Sequence, residues 1–223
     1  MTVYRGVRPV VTDPIPADVV ESARKQFTLA AEDLDGNRVA ALVVEAAGRW
    51  GVAPVWAGVC APMLAALPGR SAAEVAVEHA FSEGLRSGLD VLLRGPGTPP
   101  PAGGILLAGA EQELHCLGLH ALAAALREAG LGSLLLGAAL PWPALASAVR
   151  RTRPHTVVVW SQTPMTGRAY RAVRFAREFP SVRVHGAGPG WITPPSTPAG
   201  HLTTLSDALA ACRDAARQRD EAR

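Results

Sequence analysis

The run "RGPGTPPPAGG", residues 94 to 104, divides a chain of 223 residues into two stretches whose apolar residues keep different periods. Nearly every residue in it is Gly or Pro, so neither helix nor strand is expected to cross it, and it reads as an interdomain linker. Before it, apolar residues recur with helical spacing in four segments, about 17 to 32 from "PADVVESA", 36 to 49, 54 to 66 and 71 to 93. The connections between them are short and hold Gly, Asp or Pro, which makes the helices antiparallel neighbours in a bundle. Ser71 with Glu74 three residues on is a capping-box pattern that starts the fourth helix. After the run, "GILLAGA", "SLLLG", "TVVVWS" and "VRVHG" read as buried strands, and helical stretches near 115 to 129, 141 to 152 and 165 to 178 separate them, with a last helix near 204 to 218. "GHLTTL", 200 to 205, is the candidate for a short fifth strand.

The expected fold is therefore α/β: a helical bundle over residues 1 to 94, a linker over 95 to 103, and a doubly wound parallel sheet of the flavodoxin-like or Rossmann-like kind over 104 to 223. A hydrophobic content of 48% suffices for buried cores in both parts. No apolar run approaches the roughly twenty residues of a membrane span, and "MTVYRGVRPVV" lacks the pattern of a secretory leader, so a cytoplasmic protein with no membrane partner is expected. Cys60, Cys116 and Cys212 are odd in number and far apart, which fits reduced thiols rather than a disulfide framework or a CxxC zinc site. The net charge of +3 is too small to imply nucleic-acid binding, and the cluster "RRTR" at 150 to 153 reads as the cationic end of a helix.

In doubly wound sheets ligands bind outside the carboxyl ends of the strands. The stretch "AEQELHCLGLHAL", 110 to 122, follows the first strand and so lies at that edge. It has no G-x-G-x-x-G loop, and the glycines of "GAGPGW", 186 to 191, carry Trp191 where a dinucleotide fold would have its last glycine, so a nicotinamide or flavin site is disfavoured. His115 by itself reads equally as an ordinary residue at a helix start. With Glu113 two residues ahead, the carboxylate can accept a hydrogen bond from one imidazole nitrogen, fix the tautomer and leave the other nitrogen for a metal. The spacing His115, Cys116, His120 matches no zinc pattern, and no G-x-S-x-G elbow is present, so a zinc enzyme or serine hydrolase is disfavoured.

"ELHCLG", followed by "WSQT" after the third strand and "HGAGPG" after the fourth, resembles the E/D-x-H-x-x-G, S-x-L/T and G-G signature of cobalamin-binding domains. The resemblance spans nearly the whole chain, because such domains commonly follow a four-helix bundle that caps the upper corrin face. It implies cobalamin (vitamin B12), as adenosylcobalamin or another form, as cofactor. His115 would be the lower axial cobalt ligand, Glu113 its supporting carboxylate and Gly118 a clearance residue. Ser161 and Thr163 would contact the displaced nucleotide tail, and Gly186 and Gly188 would line its channel. His185 closes the fourth strand near that channel and is a further candidate for touching the nucleotide.

Within that family "VEHAF", with Glu78 and His79 on the fourth helix, resembles the pair that faces the upper corrin in light-sensing repressors of the CarH and LitR type. Two departures stand out. Those repressors carry a tryptophan ten residues before the Glu where this chain has Pro68, and a winged helix-turn-helix ahead of the bundle where this chain has about sixteen residues. Direct nucleic-acid binding is therefore not expected. The combination is similar to stand-alone photoreceptors that hold a bilin beside the corrin, which implies a light-sensing or signalling protein with biliverdin as second chromophore, working through self-association or a signalling partner rather than as a catalyst. The alternative is a corrinoid methyl-carrier protein serving methyltransferases; such carriers usually have Asp in place of Glu113 and lack the Glu-His pair.

Overall fold

The computed structural model describes residues 15–67, 71–95 and 104–221. Contacts divide the chain into two compact units, Met1–Gly97 and Thr98–Arg223. Pro68 and most of the Gly/Pro run expected to be a linker lie outside the described residues.

The first unit is helical. Helices α1 (Ala17–Glu32) and α2 (Gly36–Trp50) are joined by a short turn, and the Asp35 side chain caps α2 by accepting from the Arg38 amide at 2.8 Å. The third expected helix is not uniform. It runs as α3 (Val52–Val55), a π-helical turn Trp56–Cys60 and α4 (Ala61–Ala66). Pro62 has no N–H to give the Gly58 carbonyl four residues back, so the ladder cannot continue unbroken there. That carbonyl takes Arg24 Nη2 instead, at 2.7 Å, which ties α1 to the widened turn. Helix α5 (Ala72–Arg94) starts with both hydrogen bonds of the Ser71–Glu74 capping box. Its Gly84 and Gly88 meet α2 closely: a Cβ at Gly84 would stand 2.7 Å from the Gly36 carbonyl oxygen, and one at Gly88 2.8 Å from that of Ala40. Phe27 and Phe81 meet edge to face inside, with ring centroids 6.0 Å apart.

The second unit is a five-stranded parallel sheet in the order β2-β1-β3-β4-β5. Its strands are β1 (Ile105–Gly109), β2 (Leu134–Leu135), β3 (Thr156–Trp160), β4 (Arg183–Ala187) and β5 (Gly200–Leu202), so "GHLTTL" does supply an edge strand. Helices α6 (Leu117–Glu128), α7 (Trp142–Thr152), α8 (Ala169–Glu178) and α9 (Leu205–Glu221) cover it. All five residues of β1 are buried, as a strand packed on both faces requires. One face is a core in which Leu106, Ala108, Val157, Val159 and Val184 meet Leu145 and Val149 of α7 and Phe175 of α8.

Two helices begin later than the apolar pattern predicts. Helix α6 starts at Leu117, so His115 stands in the loop before it, and α8 starts at Ala169, which leaves residues 161 to 168 as a loop. Before α6 the His115 amide bonds to the Glu113 carboxylate; before α8 the Gln162 and Thr163 amides and the Thr166 hydroxyl bond to that same carboxylate, while the Thr166 and Gly167 amides turn back to the Thr163 carbonyl. Because β1 lies between β2 and β3, successive connections leave it in opposite directions, and the crevice of a doubly wound sheet opens between the carboxyl ends of β1 and β3.

Candidate functional site

The Glu113 carboxylate is buried, 1% exposed, in that crevice. Gln112 takes a left-handed φ of 70°, and the Glu113 amide bonds back to the Ala110 carbonyl at 2.9 Å, closing a tight turn that points the side chain inward. Oε1 accepts from the His115 amide at 2.9 Å and from His115 Nδ1 at 2.8 Å. Oε2 accepts from the amides of Gln162 at 2.8 Å and Thr163 at 3.1 Å and from Thr166 Oγ1 at 2.6 Å. The carboxylate thus ties the loop after β1 to the loop after β3.

With its one proton given to Glu113, Thr166 Oγ1 can accept from Ser161 Oγ at 2.7 Å, whose other neighbour is the Thr163 carbonyl at 3.0 Å. Burial alone would raise the Glu113 pKa, but the bonds from Thr166, His115 and Gln162 outweigh it and hold the carboxyl down at about 2 instead of 4.5. An ionised carboxylate fixes the tautomer: Nδ1 carries the proton and donates it, and Nε2 keeps its lone pair. The His115 side chain is 68% exposed. The loops following β1, β3 and β4 each present one large apolar side chain to solvent: Leu114 at 74%, Met165 at 80% and Ile192 at 74% exposed. The carboxyl edge of the sheet thus carries an exposed imidazole nitrogen together with exposed apolar side chains on three loops.

The other expected residues fall into three groups. Ser161 and Thr163 join the same network, but as supports of the Glu113 loop. Gly118 and Gly188 are cradles for the Trp160 indole. A Cβ at Gly118 would stand 2.6 Å from Trp160 Cζ3 and one at Gly188, whose φ is +96°, 3.0 Å from Trp160 Cδ2 and Cε2. Gly186 is covered by Trp191, with a Cβ there 2.8 Å from its Cε2. The space beside all three glycines is therefore filled by the chain's own rings. Trp160 Nε1 and both ring nitrogens of His185 are buried with no partner, and burial, with Arg183 nearby, pushes the His185 pKa below its usual value. Glu78 and His79 lie on α5 in the other unit, where Glu78 Oε1 accepts from Ser82 Oγ at 2.7 Å and His79 is exposed.

Thr166 and the Gln162 amide carry no mark in the sequence. The only available signal was the Ser and Thr cluster "SQTPMT", which favours loop over helix. Among the described residues no three His, Cys, Asp or Glu side chains are grouped to hold a metal. Among the described residues no helix is long and apolar enough to cross a membrane.

A solved structure of the monomethylamine corrinoid protein from Methanosarcina barkeri superposes with a TM-score of 0.65 over 87% of this chain and 98% of that one, at 15% identity. It shares the fold of a corrinoid protein. A cobalamin-binding protein from Desulfitobacterium hafniense aligns with a TM-score of 0.43 at 14% identity, covering 88% of this chain and 98% of that one. The methanol:cobalamin methyltransferase complex of Methanosarcina barkeri aligns with 0.45 at 16% identity, covering 93% of this chain and 83% of that one. No protein-family model and no curated protein matches the sequence.

Proposed function

We propose that this chain binds a corrinoid with His115 as the lower cobalt ligand and works as a methyl-carrier protein for partner enzymes. The observation that carries the reading is the exposed imidazole whose Nδ1 donates to a buried, ionised Glu113 and whose Nε2 is left with its lone pair at a sheet edge where three loops expose apolar side chains. The fold supports it, since a monomethylamine corrinoid protein has the same architecture over nearly its whole length.

A corrinoid held there supplies a cobalt ion whose upper face can accept and give up a methyl group. The chain's residues set the lower side. Glu113 orients the imidazole, and the bonds to Gln162, Thr163 and Thr166 keep that carboxylate from moving. The sequence departs from methyl carriers in having Glu where they have Asp, yet the longer side chain still reaches Nδ1 at 2.8 Å. The light-sensing reading, with biliverdin as second chromophore, draws no support from the described residues. Pro68, which motivated it, lies outside them, and Glu78 is engaged by Ser82 on its own helix.

The test loads the full chain with a cobalt(II) corrinoid and records its electron paramagnetic resonance spectrum. Protein grown with 15N-histidine should turn the nitrogen triplet of natural-abundance protein into a doublet, and His115→Ala should abolish that effect. A spectrum indifferent to both overturns the reading. Methyl transfer to the loaded protein from a methyl donor and its methyltransferase then separates a carrier from a sensor, whose oligomeric state would instead respond to illumination.

A further inference from the structure

We propose that Trp160 stands in for the lower base of the cofactor, so that the chain selects corrinoids lacking a nucleotide base, of the cobinamide type, over complete cobalamins. The inference rests on the corrinoid reading above and names the ligand class for the same site.

When a histidine takes the lower position of a cobalamin, the cofactor's own benzimidazole is displaced but stays tethered on the histidine's side of the ring. It has to lodge in the sheet unit within reach of His115. Three residues after His115, the start of α6 faces the ends of β3 and β4 across a gap in which Gly118 and Gly188 contribute no side chains. That gap is not open. The Trp160 indole lies in it, against Gly118 on one side and Gly188 on the other. Next to it, the space over Gly186 holds Trp191, whose Nε1 is tied to the Ala187 carbonyl at 2.9 Å. Indole and benzimidazole are the same fused five- and six-membered bicycle, differing by one ring atom. The chain fills the volume a displaced base would need with a ring of the same shape.

Trp160 follows the strand residue Val159 and precedes Ser161, whose amide bonds to the Ala187 carbonyl at 2.9 Å, so the indole is held on a fixed backbone.

The experiment titrates full-length protein with cobinamide and with hydroxocobalamin and follows corrin absorption. Wild type should bind cobinamide about ten-fold or more tightly than cobalamin. Trp160→Ala should bring cobalamin to within about three-fold of cobinamide, and its cavity should take up free 5,6-dimethylbenzimidazole, seen as a rise in Tm. Equal affinity in wild type, or a preference for cobalamin, overturns the inference and leaves the corrinoid reading intact. So does a Trp160→Ala protein with an unchanged preference. Failure of wild type to bind either corrinoid overturns both. If Trp160→Ala does not fold, the wild-type ratio decides alone.

Discussion

Replacing Glu113 by Gln keeps the shape of the side chain and removes its charge, so it mimics the protonated acid. The buried carboxylate accepts six hydrogen bonds, from His115 N, His115 Nδ1, Gln162 N, Thr163 N, Thr163 Oγ1 and Thr166 Oγ1. A glutamine offers one oxygen, and its NH2 must face donors whichever way it turns. Toward the β3 loop it confronts two amides. Toward His115 it confronts one amide and forces the imidazole proton onto Nε2, the nitrogen that the proposed cobalt ligation uses. With the Glu113 pKa lowered from 4.5 to about 2, the fold prefers the ionised form by about 3 kcal/mol, at about 1.36 kcal/mol per pH unit. The sign follows from the direction. A depressed carboxylate pKa gives stability that is fully present above about 4.5 and is lost as pH falls toward about 2. Urea denaturation followed by circular dichroism should therefore find Glu113→Gln about 3 kcal/mol less stable than wild type at pH 7, with the gap narrowing as both are taken below pH 4.5. A gap under about 1 kcal/mol at pH 7, or one that stays constant into acid, would refute the assignment of the acid sensitivity to this carboxylate.

Three other outcomes follow from the structure. Thr166→Val removes the shortest bond to Glu113 while Ser161 keeps the Thr163 carbonyl as acceptor, so stability should fall by about 1–2 kcal/mol and the acid limb should move to higher pH. Gly88→Ala places a Cβ 2.8 Å from the Ala40 carbonyl and should lower Tm, whereas Gly48→Ala on α2, with nothing within 4 Å of its Cβ, should raise stability by about 0.5–1 kcal/mol through helix propensity. Equal effects at the two sites would contradict the close seam between α2 and α5. Cys60 and Cys212 are buried and their thiols pushed up to about 12, so a thiol reagent at pH 8 should label Cys116 well before either of them, as read by mass spectrometry.

The fold was legible because its two periodicities are unmixed. The switch from helical spacing to short apolar runs falls at the Gly/Pro run, and the strands are β-branched or Leu-rich enough to be told from helices. His115 and Glu113 were legible because their partnership is local, two residues apart. Thr166, Gln162 and Thr163 were not, since their bonds to Glu113 span 49 to 53 residues and exist only once β3 is seated beside β1. Trp160 read as the end of an apolar strand. Its role depends on Gly118 and Gly188, which come from different connections and meet only in the folded sheet. The π-helical turn was hidden for a related reason: Pro62 signals a missing donor, but only the arrival of Arg24 from α1 shows what satisfies the abandoned carbonyl.

The bonds from the Gln162 and Thr163 amides to Glu113 make the loop after β3 depend on a residue that cannot be in place until parallel pairing is complete. Loops at a sheet's edge ordinarily open at little cost, and their amides trade hydrogen with solvent quickly. Here those two amides can open only if a buried anion gives up its partners, so they belong to the same cooperative block as the strands they connect. The histidine is held by that block as well. An unfolded or half-folded chain has the imidazole but neither its fixed tautomer nor its orientation, so the Nε2 lone pair is aimed only once the non-local pairing of β1 with β3 has closed.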